Sequence, residues 1–224
     1  MAQALHERGF LAPGKRGLGF AVGAEPLVSL FASFGPKIVA TDWKESAEAN
    51  GWAATGQYTG AKEGLWMGGL VDKETFDANV EFENVDMRNP ATYPKGKFDF
   101  IWSACAFEHL GNLAAGVAFV EASAKLLAPG GIAVHTTEFN VSSNARTVHS
   151  GGFVLYRRQD MDHLSQRLSG AGFKLLPFDF DPGTHQHDVE PDFEPWYTHG
   201  REHVKLLLAG HVATSALLII QAPG

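Results

Sequence analysis

Apolar residues along the chain occur in short runs that alternate with segments of helical spacing. Short apolar runs bounded by glycine, proline or aspartate predict strands. The clearest helix is predicted over about 112–127, where apolar residues recur at spacings of three and four. The predicted strands cover 17–22, 37–40, 80–85, 98–103, 132–136, 173–178 and 215–220, and the other helices follow Pro26, begin at a capping Asp160, and cover 203–208.

Seven strands separated by helices, without a repeat or a low-complexity linker, predict an α/β fold. We expect a doubly wound, mostly parallel seven-stranded sheet with helices on both faces, and one domain over residues 1–224. Strand 98–103 has a continuous apolar core, which is typical of a strand covered on both sides. Segment 44–80 is interrupted by six glycines and is interpreted as a broken helix and a loop, with its tryptophans either part of a lid or simply packed.

Composition narrows the possible partners. The net charge of -7 opposes binding to a phosphate backbone, so nucleic acid is not expected as a partner. The longest strongly apolar run, 216–220, is far too short to span a membrane, and the first residues lack an apolar signal core. We therefore expect a cytoplasmic protein whose single cysteine forms no internal disulfide; the oligomeric state is left open.

Chemistry is expected where parallel strands end, because ligands of open sheets bind beyond the carboxyl ends of the strands. The first strand ends in a glycine turn that would let a nucleotide-like ligand approach the backbone, although tight strand-to-helix packing explains the glycines too. Asp42 ends the second strand, nineteen residues after Gly23, where a carboxylate can accept both ribose hydroxyls. Asp86 and Met87 follow the third strand and suit an adenine amino group and ring, whereas Asp86 could instead cap its own turn.

In this order the motifs resemble those of the class I S-adenosylmethionine-dependent methyltransferases, over nearly the whole chain. Segment 97–103 resembles the fourth strand of that family, 108–110 the residues after it, and 127–131 the turn before the fifth strand. The resemblance implies S-adenosyl-L-methionine as cofactor. The residues implied to bind it are Gly19, Phe20, Ala21, Val22, Gly23, Glu25, Asp42, Trp43, Asp86, Met87 and Ser103.

Two positions depart from the family pattern. Ala21 replaces the middle glycine, and Gly17 replaces the acid two residues before the first glycine. The second change leaves the methionine amino group to Glu25 or to a backbone carbonyl. A narrower resemblance, carried by 52–57 and 135–140, is to bacterial methyltransferases of surface-polysaccharide pathways, which implies a small-molecule or glycan acceptor with a sugar hydroxyl as the methylated group.

A sugar hydroxyl is a weak nucleophile, so a general base would help its methylation. His109, after the fourth strand, is the first candidate, although it could instead orient the backbone or line the cofactor pocket. Glu108 is a second candidate, with holding the cofactor or capping a turn as alternatives. His135, Glu138 and His149 lie near the end of the fifth strand or in the next loop, where they are either catalytic or polar rim residues.

Other aromatic and metal-binding residue types have two interpretations each. Trp43 is expected against the adenine edge and Trp102 in the core. A loop with His185, His187, Asp188 and Glu190 has the residue types of a cation site, but a solvated loop or an acceptor lid with Trp196, Tyr197 and His199 is the interpretation we adopt, without a metal.

Two other functions remain open from the sequence. A nicotinamide-dependent oxidoreductase also has a glycine turn followed by an acid about twenty residues on. Against it, Tyr156 is followed by Asp160 and not by the lysine of a short-chain reductase pair. A noncatalytic cofactor-binding protein is the second alternative, because the glycine motif is altered.

Overall fold

A computed structural model describes residues 1–45, 51–52, 54 and 56–224. The described residues form eight strands in one sheet. The strands are β1 Arg16–Gly19, β2 Lys37–Asp42, β3 Val80–Asn84, β4 Phe98–Ser103, β5 Leu127–Asn140, β6 Lys174–Leu175, β7 Leu206–Leu208 and β8 His211–Gln221. The helices are α1 Ala2–His6, α2 Leu27–Ala32, α3 Lys73–Asn79, α4 Leu113–Ala124, α5 Arg158–Gly170 and α6 Gln186–Val189, with 3-10 turns at Lys62–Leu65, Pro90–Thr92 and Phe107–His109.

The strand order is β3-β2-β1-β4-β5-β8-β6, with β7 paired to β8 outside this path. Strands β1 to β5 are parallel to their neighbours within that group, and β8 runs antiparallel to β5, β6 and β7. The order reverses between β1 and β4, so their carboxyl ends diverge and leave a crevice there. The predicted doubly wound, mostly parallel sheet is confirmed.

Alternate side chains of the central strands enter two separate cores, which explains why the strands are apolar throughout. Phe100 and Trp102 of β4 point to the side of α1, α2 and α3. Ile101, between them, points to the side of α4 and α5. The prediction that helices cover both faces is therefore confirmed, and Trp102 is a core residue with no exposed surface.

The aromatic side chains of β4 lie directly over the glycines of β1. A Cβ at Gly17 would come within 2.3 Å of the Phe100 ring, and one at Gly19 within 2.3 Å of the Trp102 indole. Real Cβ atoms essentially never approach so closely, so both positions require glycine for packing. No acid can occupy position 17 in this packing.

The structure corrects the predicted helix over 203–208. This segment instead contains β7, which turns through Ala209 and Gly210, both at positive φ, into β8. A two-residue turn with positive φ matches the right-handed twist of a hairpin. Three consecutive leucines therefore form an extended strand, since the turn that follows them returns the chain along their edge.

Several predicted boundaries also change: β1 ends at Gly19 and not at residue 22, and β8 begins at His211 and not at residue 215. Strand β5 extends over Leu127–Asn140, because β8 pairs with nine of its residues, whereas β6 retains only Lys174–Leu175 of the predicted 173–178. Helix α5 begins at Arg158, so Asp160 is not its N-cap residue. The Asp160 carboxylate lies one turn inside and accepts a hydrogen bond from the backbone N–H of Arg157 at 2.8 Å.

Every helix among the described residues is too short or too polar to cross a lipid bilayer.

Replacing Gly17 by alanine tests the packing of β1 under β4. The added methyl group would collide with the Phe100 ring, so we expect Gly17→Ala to lower the free energy of unfolding by about 1–3 kcal/mol. Urea denaturation measures this change. Gly69→Ala is the matched control, because a Cβ there meets nothing within 4 Å; an equal loss in both variants would contradict the packing argument.

Candidate active site at the carboxyl edge of the sheet

A cleft of about 810 Å³ opens where the sheet order reverses. The turn after β1, the ends of β2 and β3, and the segment after β4 form its walls. The lining residues are Ala21, Val22, Gly23, Ala24, Glu25, Asp42, Trp43, Glu45, Trp52, Gly56, Gln57, Tyr58, Val85, Asp86, Met87, Arg88, Ala104, Cys105, Ala106, His109, Leu110 and Gly111. The cleft therefore contains residues from all three predicted strand ends.

The turn after β1 is held in a left-handed backbone conformation. Ala21 has φ 48° and Gly23 has φ 57°. The backbone N–H of Gly23 donates to Asp42 Oδ2 at 3.1 Å, and a Cβ on Gly23 would lie 2.6 Å from the carbonyl oxygen of Gln57. Glycine is thus required at position 23 by conformation and by close approach. At Ala21 the same conformation carries a side chain, which is an unfavourable arrangement for a residue other than glycine.

Asp42 joins the first two strand ends. Its carboxylate accepts from the backbone N–H groups of Gly23 at 3.1 Å and Trp43 at 2.8 Å, which fixes its orientation. Burial raises the pKa of Asp42 despite these two hydrogen bonds. The charged form is therefore short of partners and favours a ligand that donates hydrogen bonds.

At the third strand end, Asp86 pairs with Arg88, a cleft residue that the sequence analysis missed. The Arg88 guanidinium lies 2.7 Å from Asp86 Oδ2 and 4.4 Å from the centroid of the Trp43 ring. Burial opposes ionisation of Asp86, but hydrogen bonds from the Arg88 side chain and backbone hold its pKa below the ordinary value. Asp86 is thus fully charged at neutral pH, and Trp43 provides an aromatic face beside it.

Glu25 faces the same cleft from the loop after Gly23. Its Oε1 is buried and has no hydrogen-bond partner among the described residues. Burial raises the pKa of Glu25 to about 7; the Trp102 indole opposes this rise, and the nearby Asp42 carboxylate adds to it. A buried carboxylate with an unused oxygen suits a cationic or hydrogen-bond-donating ligand group.

Three of the predicted cofactor residues do not reach the cleft. Gly19 lies beneath Trp102, and Phe20 packs against Phe119 with ring centroids 5.3 Å apart. Ser103 is fully buried, with its Oγ 2.8 Å from His135 Nδ1. The expectation that these three residues bind the cofactor is corrected, because Gly19 is covered by the Trp102 ring and the side chains of Phe20 and Ser103 point into the packed faces of the sheet.

His135 is also a core residue and not an edge residue. Its ring has no exposed surface and packs at 5.6 Å from the Phe119 ring. The Ser123 hydroxyl donates to a backbone carbonyl, so its oxygen accepts from His135 Nε2 at 3.4 Å, and Nδ1 accepts from Ser103. Burial lowers the pKa of His135 to about 3. The expectation that His135 reaches an acceptor is corrected. Side chains alternate between the two faces of a strand, and at this position of β5 the side chain points into the core.

His109 lies at the mouth of the cleft. Its Nδ1 is 2.8 Å from the carbonyl oxygen of Gly152, and its ring makes an edge-to-face contact with Trp52 at 5.3 Å between centroids. A carbonyl only accepts hydrogen bonds, so Nδ1 carries the proton and the neutral ring keeps Nε2 as an acceptor. His109 thus lines the cleft in the tautomer whose acceptor nitrogen is Nε2.

Glu108 and Glu138 lie behind the cleft wall. Glu108 is fully buried, and its Oε2 accepts from the Thr137 hydroxyl at 3.1 Å. Burial raises the pKa of Glu108 to about 8, and that of Glu138 is also raised. Neither glutamate lines the cleft, whereas Cys105, which clusters with both, does.

The loop around His185 is organised by hydrogen bonds among its own residues. The Asp188 carboxylate accepts from the backbone N–H of His185 at 3.1 Å and from Lys205 Nζ at 2.9 Å. Nearby, Tyr197 stacks on His203 and His199 on Phe193. Within the described residues, none of these side chains joins a group of three clustered metal ligands or lines the cleft.

The lid predicted within 44–80 is described only in part. Trp52 lines the cleft, whereas Trp66 is 39% exposed with its Nε1 bonded to the carbonyl of Val71. Residues 46–50, 53 and 55, which belong to that prediction, lie outside the described residues.

The buried state of His135 has a measurable effect on stability. Between pH 6.5 and about 3 the unfolded chain binds a proton at this residue that the folded chain does not, so stability falls as the pH falls through this window. We expect His135→Gln to lose about 1–3 kcal/mol of stability at pH 7 and to show a flatter pH dependence below 6.5. Denaturation at several pH values measures both. The exposed His163→Gln is the control, and identical slopes in wild type and His135→Gln would refute the assignment.

Comparison with known proteins agrees with this geometry. A family model described as a methyltransferase domain matches residues 1–185. A comparison with curated protein sequences finds no match. The family match therefore rests on most of the chain, including every strand end that lines the cleft.

Solved structures share the fold at low sequence identity. An S-adenosylmethionine dependent methyltransferase from Mesorhizobium loti has a TM-score of 0.56 and 14% identity, over 98% of this chain and 96% of that one. Magnesium protoporphyrin IX methyltransferase (ChlM) from Synechocystis PCC 6803, solved with bound SAH, has a TM-score of 0.52 and 12% identity, over 98% and 79%. The cyclase SpnF has a TM-score of 0.60 and 15% identity, over 99% and 79%. These identities establish the fold alone, whereas the family match extends over more than half of the chain: it belongs to the methyltransferase domain family, with the fold of the class I S-adenosylmethionine-dependent methyltransferases that its sequence resembles.

Proposed function

We propose that the chain transfers the methyl group of S-adenosyl-L-methionine to a hydroxyl of a small-molecule or glycan acceptor, with a sugar hydroxyl as the preferred group. The observation that carries the proposal is that Gly23, Asp42 and Asp86 line one cleft at the switch point of the sheet. These residues come from three strand ends that are far apart in sequence. Their convergence is what binding of a single adenosine requires.

The residues of the cleft fit the parts of this cofactor. Asp42 would accept the ribose hydroxyls, and Asp86 the adenine amino group, with Met87 and Trp43 as apolar neighbours of the ring. The unpartnered Oε1 of Glu25 fits the positively charged amino group of the methionine part. Glu25 would therefore replace the family acid that Gly17 lacks.

His109 would act as the base in the transfer step. S-adenosyl-L-methionine, when bound, would supply a methyl group that its sulfonium already activates, with a neutral thioether as the leaving group. His109 Nε2 accepts the hydroxyl proton as the new C–O bond forms. The carbonyl of Gly152 holds the ring and stabilises the imidazolium through Nδ1–H.

The wall near His109 supports a sugar as acceptor. The Trp52 ring stands edge-to-face with His109, so an aromatic surface and a proton acceptor lie side by side. Aromatic rings bind the apolar C–H faces of sugars while polar groups take the hydroxyls. The narrower resemblance to methyltransferases of surface-polysaccharide pathways is consistent with this choice.

Ligand titration tests the cofactor. We expect isothermal titration to detect S-adenosylhomocysteine and not NAD or NADP, and Asp42→Asn to weaken S-adenosylhomocysteine binding at least tenfold, or about 1.4 kcal/mol, because a charged acceptor of two hydroxyls is lost. Asp77→Asn, a carboxylate on exposed α3, is the control and should bind as wild type does. Binding of NAD in place of S-adenosylhomocysteine would favour an oxidoreductase instead.

Substitution of His109 tests the base. His109→Gln keeps a hydrogen-bond donor for Gly152 but cannot take a proton, so we expect turnover to fall about 10²- to 10⁴-fold with unchanged affinity for S-adenosylhomocysteine. Release of S-adenosylhomocysteine in the presence of nucleotide sugars and lipid-linked glycans measures turnover, with His163→Gln as control. Near-normal turnover in His109→Gln would remove the base role, and cofactor binding without transfer to any acceptor would support a noncatalytic protein.

A further inference from the structure

We propose that Cys105, Glu108 and Glu138 form a binding site for a divalent transition-metal ion, with Zn²⁺ as the best chemical match, in the wall between the cleft and the β5–β8 pair. One ligand atom from each side chain lies within 4.8 Å of the other two. It is the only group of three such residues among those the structure describes. The inference does not depend on methyl transfer, since none of these three side chains takes part in the proposed cofactor binding or proton transfer.

Three rigid elements present the ligands. Cys105 follows β4, Glu108 belongs to the 3-10 turn Phe107–His109, and Glu138 lies near the end of β5. The backbone N–H of Cys105 donates to both the carbonyl and the hydroxyl of Thr136, at 3.1 and 3.0 Å. These bonds connect the segment after β4 to β5, so the ligands are held together by the sheet and not by a mobile loop.

Each of the two carboxylates has one oxygen that makes no hydrogen bond among the described residues, which indicates a ligand site. Glu108 has no exposed surface, and its Oε1 is buried without a hydrogen-bond partner among the described residues. Oε2 of Glu138 is also buried and has no hydrogen-bond partner among the described residues. A buried carboxylate oxygen of the half-buried Glu138 beside the fully buried Glu108 is unfavourable unless a proton or a cation lies between the two carboxylates. A metal ion satisfies both oxygens at once.

Among the described residues, no cationic side chain donates a hydrogen bond to Glu108 Oε1 or Glu138 Oε2. The His203 ring acts on Glu138 electrostatically, but its Nδ1 is already paired with Asp192 Oδ2 at 3.0 Å. The two oxygens are therefore left for a ligand that does not belong to the chain.

The ligand types favour zinc over the hard cations. Mg²⁺ and Ca²⁺ take oxygen ligands, whereas Zn²⁺ binds thiolate and carboxylate together. Three protein ligands are also the number found at zinc sites that keep one coordination position open. Because Cys105 lines the cleft, that position would adjoin the place where substrates bind.

Cobalt spectroscopy on metal-free full-length protein tests the site. Co²⁺ bound to a thiolate gives a charge-transfer band in the near ultraviolet, and Cys105 is the only cysteine in the chain. We expect one equivalent of Co²⁺ to produce this band and Zn²⁺ to abolish it by displacement. Cys105→Ser should lose the band, and Glu108→Gln and Glu138→Gln should each raise the Zn²⁺ dissociation constant at least tenfold.

Controls make the outcome unambiguous. Glu121→Gln removes a carboxylate that pairs with Arg167 on the outside of α4 and should leave metal binding unchanged. Circular dichroism establishes that each variant folds, and the two glutamine variants are independent of each other. The absence of a charge-transfer band at millimolar Co²⁺, or a band of full strength in both glutamine variants, would overturn the proposal. Titration with S-adenosylhomocysteine reports separately on the cofactor cleft.

Discussion

The packing of the β4 aromatic rings over β1 is the constraint on which the cleft depends. Phe100 and Trp102 occupy the space that side chains at positions 17 and 19 would need, so β1 presents glycine to them. The ring of Phe31, from α2, lies edge-on to Trp102 at 5.1 Å and seals this layer. Below the cleft, the switch point is therefore a closely packed aromatic layer, and no carboxylate can come from β1 itself. The carboxylate in that part of the cleft comes instead from the loop, through Glu25.

The acidic side chains around the cleft differ in pKa because their surroundings differ. Burial leaves Glu25 and Asp42 with raised pKa values, while Arg88 keeps Asp86 fully ionised. Perturbed carboxylates in a crevice are typical of binding sites, since the same groups would cost stability without serving a ligand. The cleft thus combines the ionised carboxylate of Asp86 with two carboxylates, those of Glu25 and Asp42, that a hydrogen-bond donor or a cation would stabilise.

Much of the fold and half of the site could be predicted from sequence for a simple reason. Parallel strands end at one edge, so residues directly after them, such as Asp42 and Asp86, converge whatever the details of packing. The face to which a buried strand residue points is harder to predict, because both faces of β4 and β5 are apolar and the pattern of alternation is lost. His135 and Ser103 were placed wrongly for that reason, and the six residues 203–208 were too few to separate helical from extended spacing. The Cys105, Glu108 and Glu138 cluster depends on the register of β4 with β5, which no linear spacing encodes.

The antiparallel direction of β8 brings a part of the chain outside the family match to the cleft side of the sheet. Since β8 is antiparallel to β5, the chain between β6 and β8 leaves and re-enters the sheet on the same side as the cleft, and Ser215 at this end of β8 lies 3.4 Å from Cys105. The family model ends at residue 185, within the segment between β6 and β8. The matched part thus contains every residue that lines the cleft, whereas α6, β7 and β8 lie outside it. Changes in that last stretch can therefore alter the edge of the sheet beside Cys105 without replacing any residue that lines the cleft.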